Sequence, residues 1–248
     1  MSGDSVAELN EEIKRSEPDI KRAYVYIQAD VLWQEAKRMY GIKHLDVIPS
    51  ELARAICEKN GWEFSAVFIY VARQSEEVNE KWYGIWNRIM NIWNKKYNLD
   101  VYCAPWSVKW LNVQNNKHLQ DVREIYTAPV YVGDRSRNKM ICDIISHAHY
   151  GEFDVCVVIT RDQDLQPVAD ELRNISLVKK IWLKVVNAYP YEKAPETEKP
   201  RNFRGINHTD WVQIDFNTYD DACFRGNTPD KDDDRVSDDE SHEVDGRD

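Results

Sequence analysis

The chain has 248 residues, of which 42% are hydrophobic and 31% are charged, and its formal net charge at pH 7 is −10. This length can bury the core of one sizeable α/β domain with extensions, or of two small domains. The acidic balance argues against nonspecific binding to nucleic acid or to an anionic membrane through bulk charge, although a local basic surface is compatible with it. No run approaches the ~20 apolar residues that a membrane helix needs, so we expect no membrane span.

Five cysteines lie far apart in the sequence, and none of them forms a CxxC pair or a Cys/His zinc spacing. An odd number of dispersed cysteines in apolar segments indicates reduced thiols rather than a disulfide framework. The polar N-terminus has no apolar core of the kind found in signal peptides. We therefore expect a cytoplasmic protein.

Apolar runs alternate with helical periods through the middle of the chain. Five runs predict buried strands, at Ala23–Ala29, Phe64–Ala72, Leu99–Ala104, Asp154–Thr160 and Lys179–Val186. The segments between them predict helices, at Val31–Tyr40, Pro49–Gly61, Glu76–Tyr97, Arg137–Gly151 and Asp164–Ile175. Ser50 is a candidate N-cap for the second of these helices. The stretch from Trp106 to Tyr126 shows no pattern that we can assign.

Strands that are apolar on both faces and separated by helices indicate a parallel sheet covered on both sides. We therefore predict an α/β fold of three layers, in which a central parallel sheet of about five strands is flanked by helices. The predicted domain spans residues 21–190, after a polar segment at 1–20. An extension at 191–224 is expected to pack on the domain, and the composition of the acidic tail at 225–248 predicts disorder.

Two carboxylates, Asp162 and Asp164, directly follow the fourth predicted strand. Ligands of parallel α/β folds bind at the carboxyl ends of the strands, which is where this pair lies. Two carboxylates this close repel each other unless a cation neutralises them, and Mg²⁺ or Mn²⁺ does so with oxygen ligands. A purely structural alternative is that Asp162 caps the helix that follows. The sequence leaves both interpretations open.

Two further acids come from other segments of the chain. Asp143 lies on the preceding helix and can reach the same edge of the sheet, and Asp30 lies there if the first strand is central. Four such acids would form a metal site that activates water for attack on a phosphodiester. Nearby basic residues either contact nucleic-acid phosphates or belong to a solvated loop and first helical turn: Arg135, Arg137, Lys139 and Arg161.

These residues resemble the NYN domain, a branch of the PIN-like ribonucleases. The family pattern is an Asp on a helix, then YD, an apolar strand, and SGDxDF or SQDQDL. Here the matching residues are Asp143, Phe153-Asp154, Val155–Ile159 and Thr160–Leu165. The segment RGINHTDWVQIDFNTYDDAC, from Arg204 to Cys223, resembles the C-terminal extension of some bacterial NYN proteins. The resemblance implies a PIN-like sheet, an endoribonuclease that uses Mg²⁺ or Mn²⁺, and RNA as the partner.

The sequence departs from the family pattern at two acidic positions. The first strand of the family usually ends in IDGxN, whose Asp is a metal ligand, whereas Gln28 stands at that position here and Val31 replaces the Asn. Many relatives carry a further Asp in a KGxD segment, and Arg137 aligns with it. The alternative is therefore a catalytically degenerate NYN domain that binds RNA or a protein, with a homo-oligomer left open and no membrane partner.

Overall fold

A computed structural model describes residues 17–41, 47–114, 125–160, 162–190 and 206–223. For 107–114 and 125–133 it describes the backbone alone. The predicted tail at 225–248 and most of the predicted N-terminal segment lie outside the described residues.

A six-stranded sheet forms the centre of the protein, and all of its strands are parallel. Its strands, given in chain order, are β1 (Arg22–Gln28), β2 (Glu63–Arg73), β3 (Val101–Pro105), β6 (Val155–Ile159), β7 (Lys184–Tyr189) and β8 (Asp210–Gln213). Their order across the sheet is β3-β2-β1-β6-β7-β8. The predicted α/β fold with a central parallel sheet is confirmed, with one strand more than expected.

Six α-helices lie in the described ranges. They are α1 (Ala29–Tyr40), α2 (Pro49–Lys59), α3 (Glu80–Tyr97), α4 (Arg135–Tyr150), α5 (Gln166–Lys179) and α6 (Phe216–Asp221). A short 3₁₀ turn, Gln163–Leu165, precedes α5.

Both faces of the sheet are buried, as the apolar strands predicted. In β1, Val25 and Ile27 face a core built with α2 and α6, whereas Tyr26 faces a core built with α4 and α5. Trp86 and Trp93 of α3 pack with the β2 residues of a third cluster. Two faces covered by helices make the three layers and explain why the central strands carry no polar face.

Several predicted boundaries were wrong, and three of them have clear local reasons. Ser50 is not an N-cap, because Pro49 already occupies the first turn of α2 and Ile48 precedes it without a side-chain cap. Helix α3 begins at Glu80 rather than Glu76, since Asn79 caps it by accepting a hydrogen bond from the Trp82 N–H. The fifth predicted strand begins at Lys184, because α5 continues through Lys179.

The stretch without an assignable pattern contains most of an antiparallel ribbon. Its strands are β4 (Ser107–Gln114) and β5 (Ile125–Gly133), which pair with each other and form a sheet of their own. A ribbon of this kind depends on long-range pairing that the local pattern did not reveal.

The described part of the extension joins the sheet. Strand β8 pairs with β7 in parallel, and α6 packs on the same core as α2. Ala222 accepts a backbone hydrogen bond from Ile48 at 3.0 Å, which ties this segment to the start of α2.

None of the helices in the described ranges combines the length and apolar character that a bilayer span requires.

Asp215 anchors the extension to the domain. Its carboxylate caps α6 by accepting hydrogen bonds from the Thr218 N–H at 2.9 Å and the Thr218 hydroxyl at 2.7 Å, and it pairs with Lys59 of α2. The bond from Lys59, followed by those from Thr218, lowers the pKa of Asp215 to about 2.

This shift predicts a pH dependence of stability. A carboxyl whose pKa is lowered on folding stabilises the native state above its unfolded pKa of about 3.9, and the contribution is lost as pH falls towards 2. At neutral pH, Asp215→Ala should lower the free energy of unfolding in urea by on the order of 1 kcal/mol. Asp215→Asn, which keeps a capping oxygen, should lose less. A deficit that stays constant from neutral pH down to about pH 2 would contradict the assignment.

Candidate functional site

The loop that carries Asp162 and Asp164, called the acidic loop below, lies at the carboxyl edge of the sheet, where β1 and β6 end side by side. Ile27 of β1 and Ile159 of β6 are partners in the parallel ladder. Gln28 therefore ends β1 next to Thr160, which leads into Asp162. The predicted position of the acid pair at the carboxyl edge is confirmed.

The loop after β6 is held by a chain of three hydrogen bonds that runs from the core to the surface. The Thr160 hydroxyl donates to Oε1 of Gln28 at 2.6 Å and accepts from the Asp162 N–H at 3.0 Å. The Asp162 carboxylate in turn accepts from the Asp164 N–H at 3.0 Å and caps the 3₁₀ turn. Asp162 therefore caps this turn and not the helix α5 that was expected, since Leu165 precedes α5 without a side-chain cap.

Asp162 and Asp164 share one counterion, the guanidinium of Arg137. Asp134 caps α4 by accepting from the N–H groups of Ser136 and Arg137, which sets Arg137 in the first turn of the helix. Nη1 of Arg137 forms an ion pair with Asp162 and lies 3.5 Å from Oδ2 of Asp164. The hydrogen bond to Asp162 raises the pKa of Arg137, so this cation stays charged at any physiological pH.

Asp143 has its own two partners. It accepts a hydrogen bond from the Tyr70 hydroxyl at 2.8 Å and pairs with Lys139, one helical turn earlier on α4. Burial raises the pKa of Tyr70 well above its usual value, and the hydrogen bond to Asp143 is the second largest cause of this shift. Tyr70 is therefore a neutral hydrogen-bond donor at neutral pH.

Of the remaining predicted site residues, Arg135, Asp30 and Arg161, the structure describes the side chain of Arg135 alone. Arg135 is exposed at the start of α4, beside Arg137. The backbone of Asp30 lies in α1, but its side chain is outside the described part of the structure, as is the whole of Arg161.

Sequence analysis missed three residues that position the predicted acids: Gln28 and Asn187, which hold Thr160 at the start of the loop, and Tyr70, which holds Asp143. Asn187 of β7 is fully buried, and its amide donates to the carbonyl oxygens of Val158 and Thr160, both at 3.0 Å. Its Oδ1 accepts from the Ile206 N–H at 3.0 Å. The available signal was a lone polar residue within an apolar strand, since a buried amide must find partners.

The three hydrogen bonds of Asn187, to Val158, Thr160 and Ile206, form a clamp between β6 and the C-terminal segment. Beyond this clamp, the C-terminal segment also contacts α5. Asn207 donates to the Gln166 side chain at 3.1 Å, and the His208 ring contacts Asp170 at 2.8 Å. Because Gln166 comes one residue after the 3₁₀ turn, the extension and the acidic loop are supported by the same helix.

The residues present do not fit a divalent ion in this arrangement. Among the described residues, no group of three or more His, Cys, Asp or Glu side chains is arranged to hold a metal. Arg137 contacts both Asp162 and Asp164, and Lys139 contacts Asp143, so the countercharge comes from the protein itself. Gln28, at the end of β1, contributes a neutral amide that already bonds to Thr160.

The chain matches no family model and no curated protein. Among solved structures, it is similar to a protein of unknown function, VPA0982, from Vibrio parahaemolyticus RIMD 2210633, with a TM-score of 0.44 and 10% identity. That similarity covers 84% of this chain and 100% of the other.

Proposed function

We propose that this chain is a catalytically degenerate NYN-type domain that binds single-stranded RNA at the carboxyl edge of its sheet without cleaving it. The observation that supports this proposal is the pairing of Arg137 with both Asp162 and Asp164. An arginine at a position that is usually acidic in the NYN pattern neutralises the acids that would otherwise attract a divalent ion.

The same acids hold basic side chains in position for phosphate. A guanidinium carries five N–H donors in a fixed plane, and only Nη1 of Arg137 makes the two contacts described above. The side chains of Arg137 and Lys139 are 31% and 45% exposed, so both reach solvent at this edge. Arg137 lies in the first turn of α4, where the helix dipole also favours an anion, and Lys139 lies in the second turn.

A second candidate is an endoribonuclease that depends on Mg²⁺ or Mn²⁺. It is favoured by one observation, that Asp162 and Asp164 face a common guanidinium and hence a common space. A divalent ion could use this space only after Arg137 and Lys139 had moved away.

We also propose the cytoplasm as the location, in keeping with five free cysteines.

The proposal predicts binding that is independent of metal. Labelled single-stranded RNA should bind equally in EDTA and in Mn²⁺, and it should stay intact in both. Arg137→Ala should weaken binding and reduce the slope of log affinity against log salt by about one, because one phosphate contact is lost. Fluorescence anisotropy across a salt series measures both quantities.

Lys95→Ala is the matched control for this experiment. It removes one positive charge from the last turn of α3, which ends away from the carboxyl edge, and should leave the slope unchanged. Cleavage in Mn²⁺ that is lost in an Asp162→Asn variant would instead establish the second candidate.

A further inference from the structure

A row of side chains crosses the sheet from the acidic loop to its edge. Gln28 of β1 is the ladder partner of Tyr70 in β2, and Tyr70 is the ladder partner of Tyr102 in β3. Partners in a parallel ladder point to the same face. Thr160 continues the row on the other side through its hydrogen bond to Gln28. The row therefore connects Asp162 to the edge strand β3 over three interstrand spacings, roughly 14 Å.

Tyr102 is the exposed end of this row. It is 40% exposed, whereas Tyr70 beside it is 2% exposed, and the centroids of the two rings are 6.3 Å apart. Strand β3 is the last strand on its side of the six-stranded sheet, so within the described residues no further strand of that sheet lies beside it. An exposed aromatic ring supported by a buried one offers a flat apolar surface in a fixed orientation.

Lys139 joins this ring to Asp143 of α4. Its ammonium lies 5.9 Å from the Tyr102 ring centroid and also pairs with Asp143. A cation beside an aromatic platform matches the alternation of base and phosphate in a single strand of nucleic acid, where bases stack on aromatic rings and phosphates meet basic side chains.

We infer that Tyr102 is a base-stacking subsite, on which one base of a bound single-stranded RNA lies while Lys139 contacts the adjoining phosphate. This inference rests on the proposed RNA-binding function and names the residue that extends the site to the edge of the sheet. Stacking tolerates any base, because every base has an aromatic face. The subsite therefore adds affinity without sequence preference.

The test compares Tyr102→Ala and Tyr102→Phe with the wild type, using fluorescein-labelled oligouridylate and an abasic sugar-phosphate strand of equal length. Tyr102→Ala should weaken binding of oligouridylate by about tenfold or more, whereas Tyr102→Phe, which keeps a ring, should stay within about twofold. The abasic strand should bind Tyr102→Ala and the wild type equally. The salt slope should not change in Tyr102→Ala, since no phosphate contact is removed.

Tyr150→Ala is the matched control, because Tyr150 is 77% exposed at the far end of α4. It should bind both strands as the wild type does. Thermal melting of Tyr102→Ala checks that its loss of RNA affinity is not caused by unfolding. If Tyr102→Ala is unstable, Tyr102→Phe still tests the role of the ring. If Tyr102→Ala binds oligouridylate as tightly as the wild type does, the subsite alone is overturned. The subsite alone is also overturned if Tyr102→Phe loses as much affinity for oligouridylate as Tyr102→Ala does. Absence of RNA binding by the wild type overturns the proposed function together with the subsite.

Discussion

Asn187→Ala should cost the fold about 3 kcal/mol or more, because it removes a hydrogen bond from each of three buried backbone groups, at about 1–3 kcal/mol for each. The groups are the carbonyl oxygens of Val158 and Thr160 and the N–H of Ile206. Urea unfolding measures the loss, which corresponds to a fall in melting temperature on the order of 10 °C for a domain of this size.

The same variant should also weaken RNA binding at temperatures where it is still folded. Asn187 holds the carbonyl of Thr160, and Thr160 in turn anchors Asp162, the partner of Arg137. Loosening this chain leaves the guanidinium without a fixed orientation.

One variant separates the two sides of this clamp, and another is its matched control. Asn187→Asp keeps an oxygen for the Ile206 N–H but loses the donors to β6, and it buries a charge, so it should also be strongly destabilised. Asn174→Ala removes an exposed amide on α5 that contacts Glu171 at 3.3 Å, and should change stability by about 0.5 kcal/mol or less. If the free energy of unfolding of Asn187→Ala is within about 1 kcal/mol of the wild-type value, the clamp does not hold the loop.

The double variant Gln28→Asp/Arg137→Asp should gain a response to Mn²⁺ that the wild type lacks. It places acids at the two positions that are acidic in the NYN pattern on which the proposal rests, and it removes the guanidinium that neutralises Asp162 and Asp164. Without metal, the added like charges should make the variant less stable than the wild type. With Mn²⁺ at about 100 times its dissociation constant, binding should restore about 2.7 kcal/mol.

Thermal melting in EDTA and in Mn²⁺ measures this gain. Gln28→Asn/Arg137→Gln is the matched control, because it changes both positions without adding an acid, and its melting temperature should not respond to Mn²⁺. Adding Asp162→Asn to the acidic double variant should abolish the response. If Mn²⁺ raises the melting temperature of the wild type as much as that of the double variant, the acids already hold a metal and the nuclease becomes the better proposal.

Much of the architecture could be predicted because it is written in local patterns. The run from Val155 to Ile159 is apolar at every position, and a strand of this kind must be covered on both faces. Once it is central and parallel, the residues after Ile159 lie at the edge where ligands bind. The carboxyl-edge position of Asp162 and Asp164 follows from that reasoning and needs no knowledge of tertiary contacts.

Boundaries and partners were less predictable, since they depend on residues distant in the chain. Strand β8 is only four residues long and exists because β7 offers it an open edge, so its own sequence carried little signal. The ribbon of β4 and β5 likewise depends on pairing across a connection. Local propensity competes poorly with such pairing.

By itself, the sequence determined that this protein has an α/β fold with a parallel sheet, and that a pair of acids lies at the sheet's carboxyl edge. The tertiary structure alone decided which cation faces these acids. Arg137 and Asp162 are 25 residues apart and meet because Asp134 starts α4 beside the end of β6. Periodicity reports which face of an element is buried, but the partner of a charged side chain depends on how two elements are packed, and that packing is fixed by the whole core.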